Sequence, residues 1–233
     1  GTGAFMKKLQ AAQELALALV QTANDAGCPT RALISNMDQP LVPAVGNALE
    51  ISEVVAVLTG QTSGVILEVS SKLGGEVLTG VGLTASAADG AEKIAAAIAS
   101  GQAAERFDRM VAAQGGPIGF IEQAARVLPQ ADIVLDVTAT KDGYVSQIDG
   151  EALGFAVVEL GGGRLVETDI INPAVGLCQL AQLGNWVTQG DVLAQVHAAR
   201  RAQAEQAARQ LRAAIELSAV APPAVPLIHE RIG

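Results

Sequence analysis

The hydrophobic period changes at Pro129, and that change limits the folds open to this chain of 233 residues. Upstream of it, apolar residues recur at helical spacing. Lys7–Ala26 predicts a helix carrying Leu9, Leu15, Leu17, Leu19 and Val20 among alanines, and Gly27 suits its stop. Ser63–Leu83, Ser86–Ser100, Gln102–Ala113 and Phe120–Leu128 predict further helices. The first of these holds Gly64, Gly74, Gly75, Gly80 and Gly82. An interior glycine costs a helix about 1 kcal/mol relative to alanine, so the glycines predict close helix packing. Arg31–Ile34 predicts a strand between helices, in an α/β layer whose other strands come from elsewhere. Charged residues such as Asp89, Glu92, Lys93, Glu105, Arg106, Asp108 and Arg109 read as solvated helix faces.

Downstream, the period shortens. Ile133–Thr138, Tyr144–Ile148, Leu177–Leu180, Trp186–Val187 and Val192–His197 predict strands. Lys141-Asp-Gly143, Gly184-Asn185 and Gln189-Gly190 read as turns. Gly150–Leu160 predicts a helix ended by Gly161-Gly-Gly163. No lysine-serine pair follows that triplet and Arg164 is its only nearby cation, so it reads as a turn rather than a phosphate loop. Arg200–Leu217 predicts a helix, and Leu227–Ile232 a final edge strand after Pro222, Pro223 and Pro226. The fold class is therefore α/β followed by α+β.

Composition excludes several function classes. A net charge of −9 and a pI near 4.7 argue against nonspecific nucleic-acid or anionic-membrane binding. No apolar run approaches the roughly 20 residues of a membrane span, and no signal peptide is evident. The two cysteines, Cys28 and Cys178, are far apart and form no metal or redox motif, which fits buried or neutral thiols in a reducing, cytoplasmic compartment. His197 and His229 both lie in predicted strands, fall in no triad or metal-ligand motif, and read as structural. Aromatics are only 3%, so the core is expected to be small and branched aliphatics. The first residue is glycine rather than methionine, which reads as a position inside a longer polypeptide.

One stretch organises the rest: Ser35–Glu53, "SNMDQPLVPAVGNALEISE". The predicted strand leads into a polar loop with Met37, Asp38 and two prolines, and an amphipathic helix follows. Pro43 suits a helix start, and Val45, Leu49, Val54 and Leu58 fall on one side of a Val45–Leu58 helix. Asn47, Glu50 and Glu53 lie three apart, share roughly one face and look back toward the loop. Loop carbonyls beside such a carboxylate can cage a hard cation; the same residues can equally cap the helix and complement its dipole.

That stretch resembles the signature of the thymidine and pyrimidine-nucleoside phosphorylases. The opening "GTGAFMKK" resembles the segment before it, and "DGYVSQID…ALGFAVVELGGGR…VGL…LGNWVTQGDVLAQVHA" is similar to the family's C-terminal domain, in the right order. The resemblance implies that residues 1–128 are the second half of the phosphorylase α/β domain and 129–233 its C-terminal domain. It implies reversible phosphorolysis of a pyrimidine nucleoside, with phosphate as co-substrate and a homodimer when the protein is complete. It implies that Leu41 and Ala44 carbonyls and the Glu53 carboxylate form part of a potassium site. Phe5 takes a position that helps wall the base pocket, or else is a hydrophobic anchor at a helix start. The family's phosphate-binding Lys-His-Ser-Thr-Gly-Gly segment and its base-binding arginine, serine and lysine precede "GAFM" and are not among these residues. No catalytic residue is therefore assigned here, and the chain alone is expected to be inactive.

The spacing of Gly184, Val187, Gly190, Asp191 and Leu193 resembles lipoyl- and biotinyl-type domains. No lysine sits in the hairpin, so no lipoyl or biotin is expected and a barrel-sandwich-like scaffold is left. Two rival functions stand beside the enzyme: a non-catalytic scaffold or interaction module, and half of a split enzyme.

Overall fold

A computed structural model describes residues 1–233. The fold is mixed α/β, with every strand pairing antiparallel. It divides into two compact units that are interleaved in sequence.

The first unit comprises residues 5–36, 55–122 and 225–233. It contains α1 (Leu9–Asp25), β1 (Ala32–Ser35), α3 (Val65–Gly80), α4 (Ala87–Ala99) and α5 (Gln102–Ala113). α2 (Asn47–Leu58) and α6 (Phe120–Val127) each run from one unit's residues into the other's. β1 pairs with the chain's last strand, β8 (Ile228–Ile232), and α1 covers the pair through Val20 against Ile34 and Ile232. Two strands alone are marginally stable. Here Glu76 of α3 accepts from Arg31 Nη1 and Arg231 Nη2, both at 3.1 Å, and ties both strands to the helix.

Of the glycines expected to allow close packing, Gly74 and Gly75 face α4, whereas Gly64, Gly80 and Gly82 meet nothing within 4 Å. A Cβ on Gly75 would lie 2.3 Å from the Ala87 carbonyl oxygen, and one on Gly90 would lie 2.7 Å from the Gly75 Cα. α3 and α4 thus touch backbone to backbone, and the dispersion gained offsets the glycine's cost in helix propensity. Ser86 caps α4 by accepting the Asp89 N–H at 3.1 Å.

The second unit comprises residues 1–4, 37–54 and 123–224. One three-stranded sheet is ordered β2-β6-β4 (Ile133–Thr138, Val192–Ala198, Gly176–Cys178), and the other β5-β3-β7 (Trp186–Val187, Gly143–Ile148, Ile215–Ser218). The sheets do not close into a barrel. Between the strands, α7 (Gly150–Val157) and α8 (Arg201–Ala214) join one core with fully buried Val137, Val145, Leu153, Leu177, Val196 and Leu211. α7 passes into a π-helical turn, Val158–Gly162, inside which Gly161 takes φ +95° within the glycine triplet.

Three expectations are corrected. The strands on either side of the Lys141-Asp-Gly143 turn do not pair with each other: β2 pairs with β6, whereas β3 pairs with β5 and β7. The turn moves the chain between sheets. The helix expected to Leu217 stops at Ala214, and Ile215–Ser218 is strand β7, because pairing with Val145–Ile148 and burial of Ile215 override the helical tendency. Cys28 is exposed rather than buried. No helix is long and apolar enough to cross a membrane.

Gly90→Ala should destabilise the protein by about 1–3 kcal/mol through overpacking. Gly80→Ala, whose Cβ meets nothing within 4 Å, should be neutral or stabilising by at most about 1 kcal/mol in urea unfolding. Arg231, followed by Arg31, holds the Glu76 carboxyl below its ordinary value of 4.5. Its contribution is present above that value and lost as pH falls through the lower folded one. Glu76→Gln should cost about 1 kcal/mol at neutral pH, and the gap to wild type should close in acid melts.

Candidate functional site

The signature loop is fixed by the edge of β4. Val45 N–H donates to the Leu177 carbonyl at 2.9 Å, and Leu177 N–H donates back at 2.8 Å. Leu180 N–H donates to the Pro43 carbonyl at 3.1 Å, and Ala48 N–H to the Pro173 carbonyl at 3.1 Å. Gln39 Oε1 accepts the Leu183 N–H at 2.9 Å. This bridge explains why the helix starts at Asn47 and not at Pro43: the Val45 peptide groups are already committed to Leu177 in an extended conformation.

The bridge is possible only because two glycines meet. A Cβ on Gly46 would lie 2.6 Å from the Val175 carbonyl oxygen, and one on Gly176 would lie 2.3 Å from the Val45 carbonyl oxygen. Their φ values, +139° and +154°, also lie where L side chains are rare.

The polar face of α2 then separates into roles. Glu50 Oε1 accepts the Gly46 N–H at 2.9 Å, and Asn47 Nδ2 donates to the Gly162 carbonyl at 3.3 Å. Capping and tethering are therefore their work. Glu53 is half-buried and makes no hydrogen bond or ion pair within the chain. Pro43 and Val45 have carbonyls engaged by Leu180 and Leu177, whereas Leu41 and Ala44 carbonyls accept none. The Leu41 and Ala44 carbonyls are thus uncommitted, as are those of Pro40 and Val42, and the Glu53 carboxylate is the uncommitted side chain of the α2 polar face. No cluster of three His, Cys, Asp or Glu side chains suited to a metal exists.

Beside them lies a pair the sequence separates by nineteen positions: Cys178 Sγ is 3.1 Å from His197 Nε2. β4 and β6 bring them together, Gly176 pairing with His197 and Cys178 with Gln195, so the two side chains are diagonal neighbours on one face. Gln195 Oε1 is 3.5 Å from the same sulfur, and Gln195 Nε2 donates to Asp136 at 2.9 Å. Burial, then the negative charges of Glu53 and Asp136, push the Cys178 thiol up, and burial pushes His197 down. Both are neutral at neutral pH, so the pair is not an activated thiolate nucleophile. Only the strand register, invisible in the spacing, reveals this pair.

Phe5 belongs to the other unit and is 90% exposed, so it is not a core anchor.

Residues 144–218 match the pyrimidine nucleoside phosphorylase C-terminal domain. The chain is in this respect similar to the C-terminal portion of a pyrimidine nucleoside phosphorylase. Over all 233 residues it is 42% identical to the thymidine phosphorylase of Agrobacterium fabrum, an alignment that takes in 100% of this chain and 53% of that protein. The chain thus spans about half the length of this relative.

Gly176→Ala should cost about 3 kcal/mol or more, from overpacking plus backbone strain. Urea unfolding measures it, with hydrogen exchange at Val45 and Leu177 expected to accelerate.

Proposed function

We propose that this chain is part of a pyrimidine-nucleoside phosphorylase, in which phosphate attacks the anomeric carbon as the base leaves, giving free base and pentose 1-phosphate. The observation that carries this is the 42% identity along the entire chain to a thymidine phosphorylase, signature loop included. Such a reaction needs positioned charge for phosphate and donors for the departing base, with no covalent protein intermediate. The neutral state of Cys178 is in keeping with that.

Leu41, Ala44 and Glu53 fit a partial potassium site, as carbonyl and carboxylate oxygens suit a hard cation. Potassium supplies fixed positive charge there. The chain's part is to hold the loop: the Val45–Leu177 bridge fixes the carbonyls, and the Glu50 and Asn47 bonds keep those side chains occupied. Phe5, exposed here, is the proposed wall of the base pocket.

The α/β domain in this reading runs to Leu128, and the barrel-sandwich-like C-terminal domain from Pro129, free of lipoyl and biotin. Residues 37–54 belong by sequence to the former and pack with the latter's unit. β1 has β8 as its one partner, and Leu17, Leu19 and Val77 are exposed, which supports further strands and helices supplied by the rest of the protein. The complete enzyme would be a cytoplasmic homodimer.

The test is phosphate-dependent release of base from thymidine and uridine. The 233-residue chain alone should release none, because losing even one donor of a preorganised site costs on the order of 10²-fold or more. Supplying the segment that carries the phosphate- and base-binding residues should restore turnover. Activity of the chain alone contradicts the partial-site reading, and inactivity of the combination favours a scaffold.

A further inference from the structure

The two sheets of the C-terminal unit part between β2 and β7, leaving a cavity of about 380 Å³. Its apolar lining is Leu193, Ile215 and Leu217. Its polar lining is Thr138 and Thr140 at the end of β2, Lys141 after them, Arg212 in the last turn of α8, and Glu216 on β7. A β-bulge interrupts the β2 ladder at Val137/Thr138, a device that re-aims side chains beside sites.

The charges around this cavity are uncommitted. Arg31 and Arg231 are engaged by Glu76, Lys72 by Glu68 and Arg201 by Glu205. Lys141, Arg212 and Glu216 line one cavity, yet none forms a side-chain hydrogen bond or ion pair, with each other or elsewhere. In a chain of net charge −9, convergence of two unpaired cations runs against the overall field.

We infer that this cavity binds a small phosphorylated molecule bearing hydroxyl groups, a sugar phosphate in chemical class. Lys141 and Arg212 take the phosphate oxygens, as charge-assisted donors. Glu216 and the threonine hydroxyls take the sugar hydroxyls, and the apolar lining packs against the ring. A bare anion would leave Glu216 opposing it, and a bare cation would face two like charges; a ligand with both an anionic group and hydroxyl donors satisfies all three. The volume falls in the lower part of the roughly 300–1,000 Å³ range of small-molecule sites. None of Leu41, Ala44 and Glu53 lines this cavity, so the inference does not rest on the phosphorolysis reading.

Isothermal titration of the 233-residue chain with ribose 5-phosphate, ribose and inorganic phosphate tests it. Ribose 5-phosphate should bind saturably and about tenfold or more tighter than either part alone, with a similar loss in the Lys141→Ala/Arg212→Ala variant. Glu216→Gln should narrow the preference over inorganic phosphate. Lys141→Arg should retain binding, and circular dichroism should show every variant folded. Absence of saturable binding at millimolar ribose 5-phosphate, or binding unchanged in the double variant, overturns the site. Equal affinity for inorganic phosphate and ribose 5-phosphate overturns the ligand class.

Discussion

The contact of Gly46 with Gly176 is the constraint on which the signature segment depends. Two chain segments separated by 130 positions approach until a Cβ on either would sit within 2.6 Å of a carbonyl oxygen of the other. That proximity lets Val45 and Leu177 exchange both of their backbone hydrogen bonds. A buried peptide group without a partner costs about as much as a lost hydrogen bond. The bridge therefore satisfies polar backbone at a place where Ala44, Val175 and Leu177 are all buried. The start of α2 and the course of the loop follow from it.

Once the backbone is fixed, the side chains of the loop and helix divide by what remains unsatisfied. Glu50 completes the Gly46 N–H and Asn47 the Gly162 carbonyl, leaving Glu53 as the carboxylate of this face without a partner in the chain. The nearby Glu53 charge also acts on Cys178, together with burial and Asp136, to keep the thiol protonated. A neutral thiol beside a neutral imidazole packs without bringing a charge into the sheet, so the pair adds little to the electrostatics of the loop.

Periodicity carried the helices well, since α1, α3, α4, α5 and α6 each have a continuous apolar stripe and an end signal in glycine, serine or proline. It failed where a long-range partner decided the outcome. Nothing local marks Ala214 as the end of α8: the next residues turn to strand because β3 offers them a ladder. Lys141-Asp-Gly143 has hairpin chemistry, yet its flanking strands find better partners in β6, β5 and β7. Asn47, Glu50 and Glu53 were legible as one polar face from their spacing, but the bonds that occupy Glu50 and Asn47 depend on where Gly46 and Gly162 come to lie. The Cys178–His197 contact was illegible, because only register makes residues of β4 and β6 diagonal neighbours.

A chain with 3% aromatics cannot fill gaps between elements with large rings. Its elements must come closer, and closeness demands residues without side chains at the crossing points. Gly75 against Gly90 joins α3 to α4, and Gly46 against Gly176 joins the loop to β4. The same economy recurs along α8, where Ala204, Ala207, Ala208 and Ala214 are buried beside Leu211. Each buried alanine removes little apolar surface from water, so stabilisation comes from many short contacts rather than a few large ones. Such a core has little slack: a methyl group added at a crossing displaces backbone, whereas the same methyl at Gly80 meets open space. Tolerance to substitution in this protein is thus set by proximity of backbones more than by the hydrophobicity of the position.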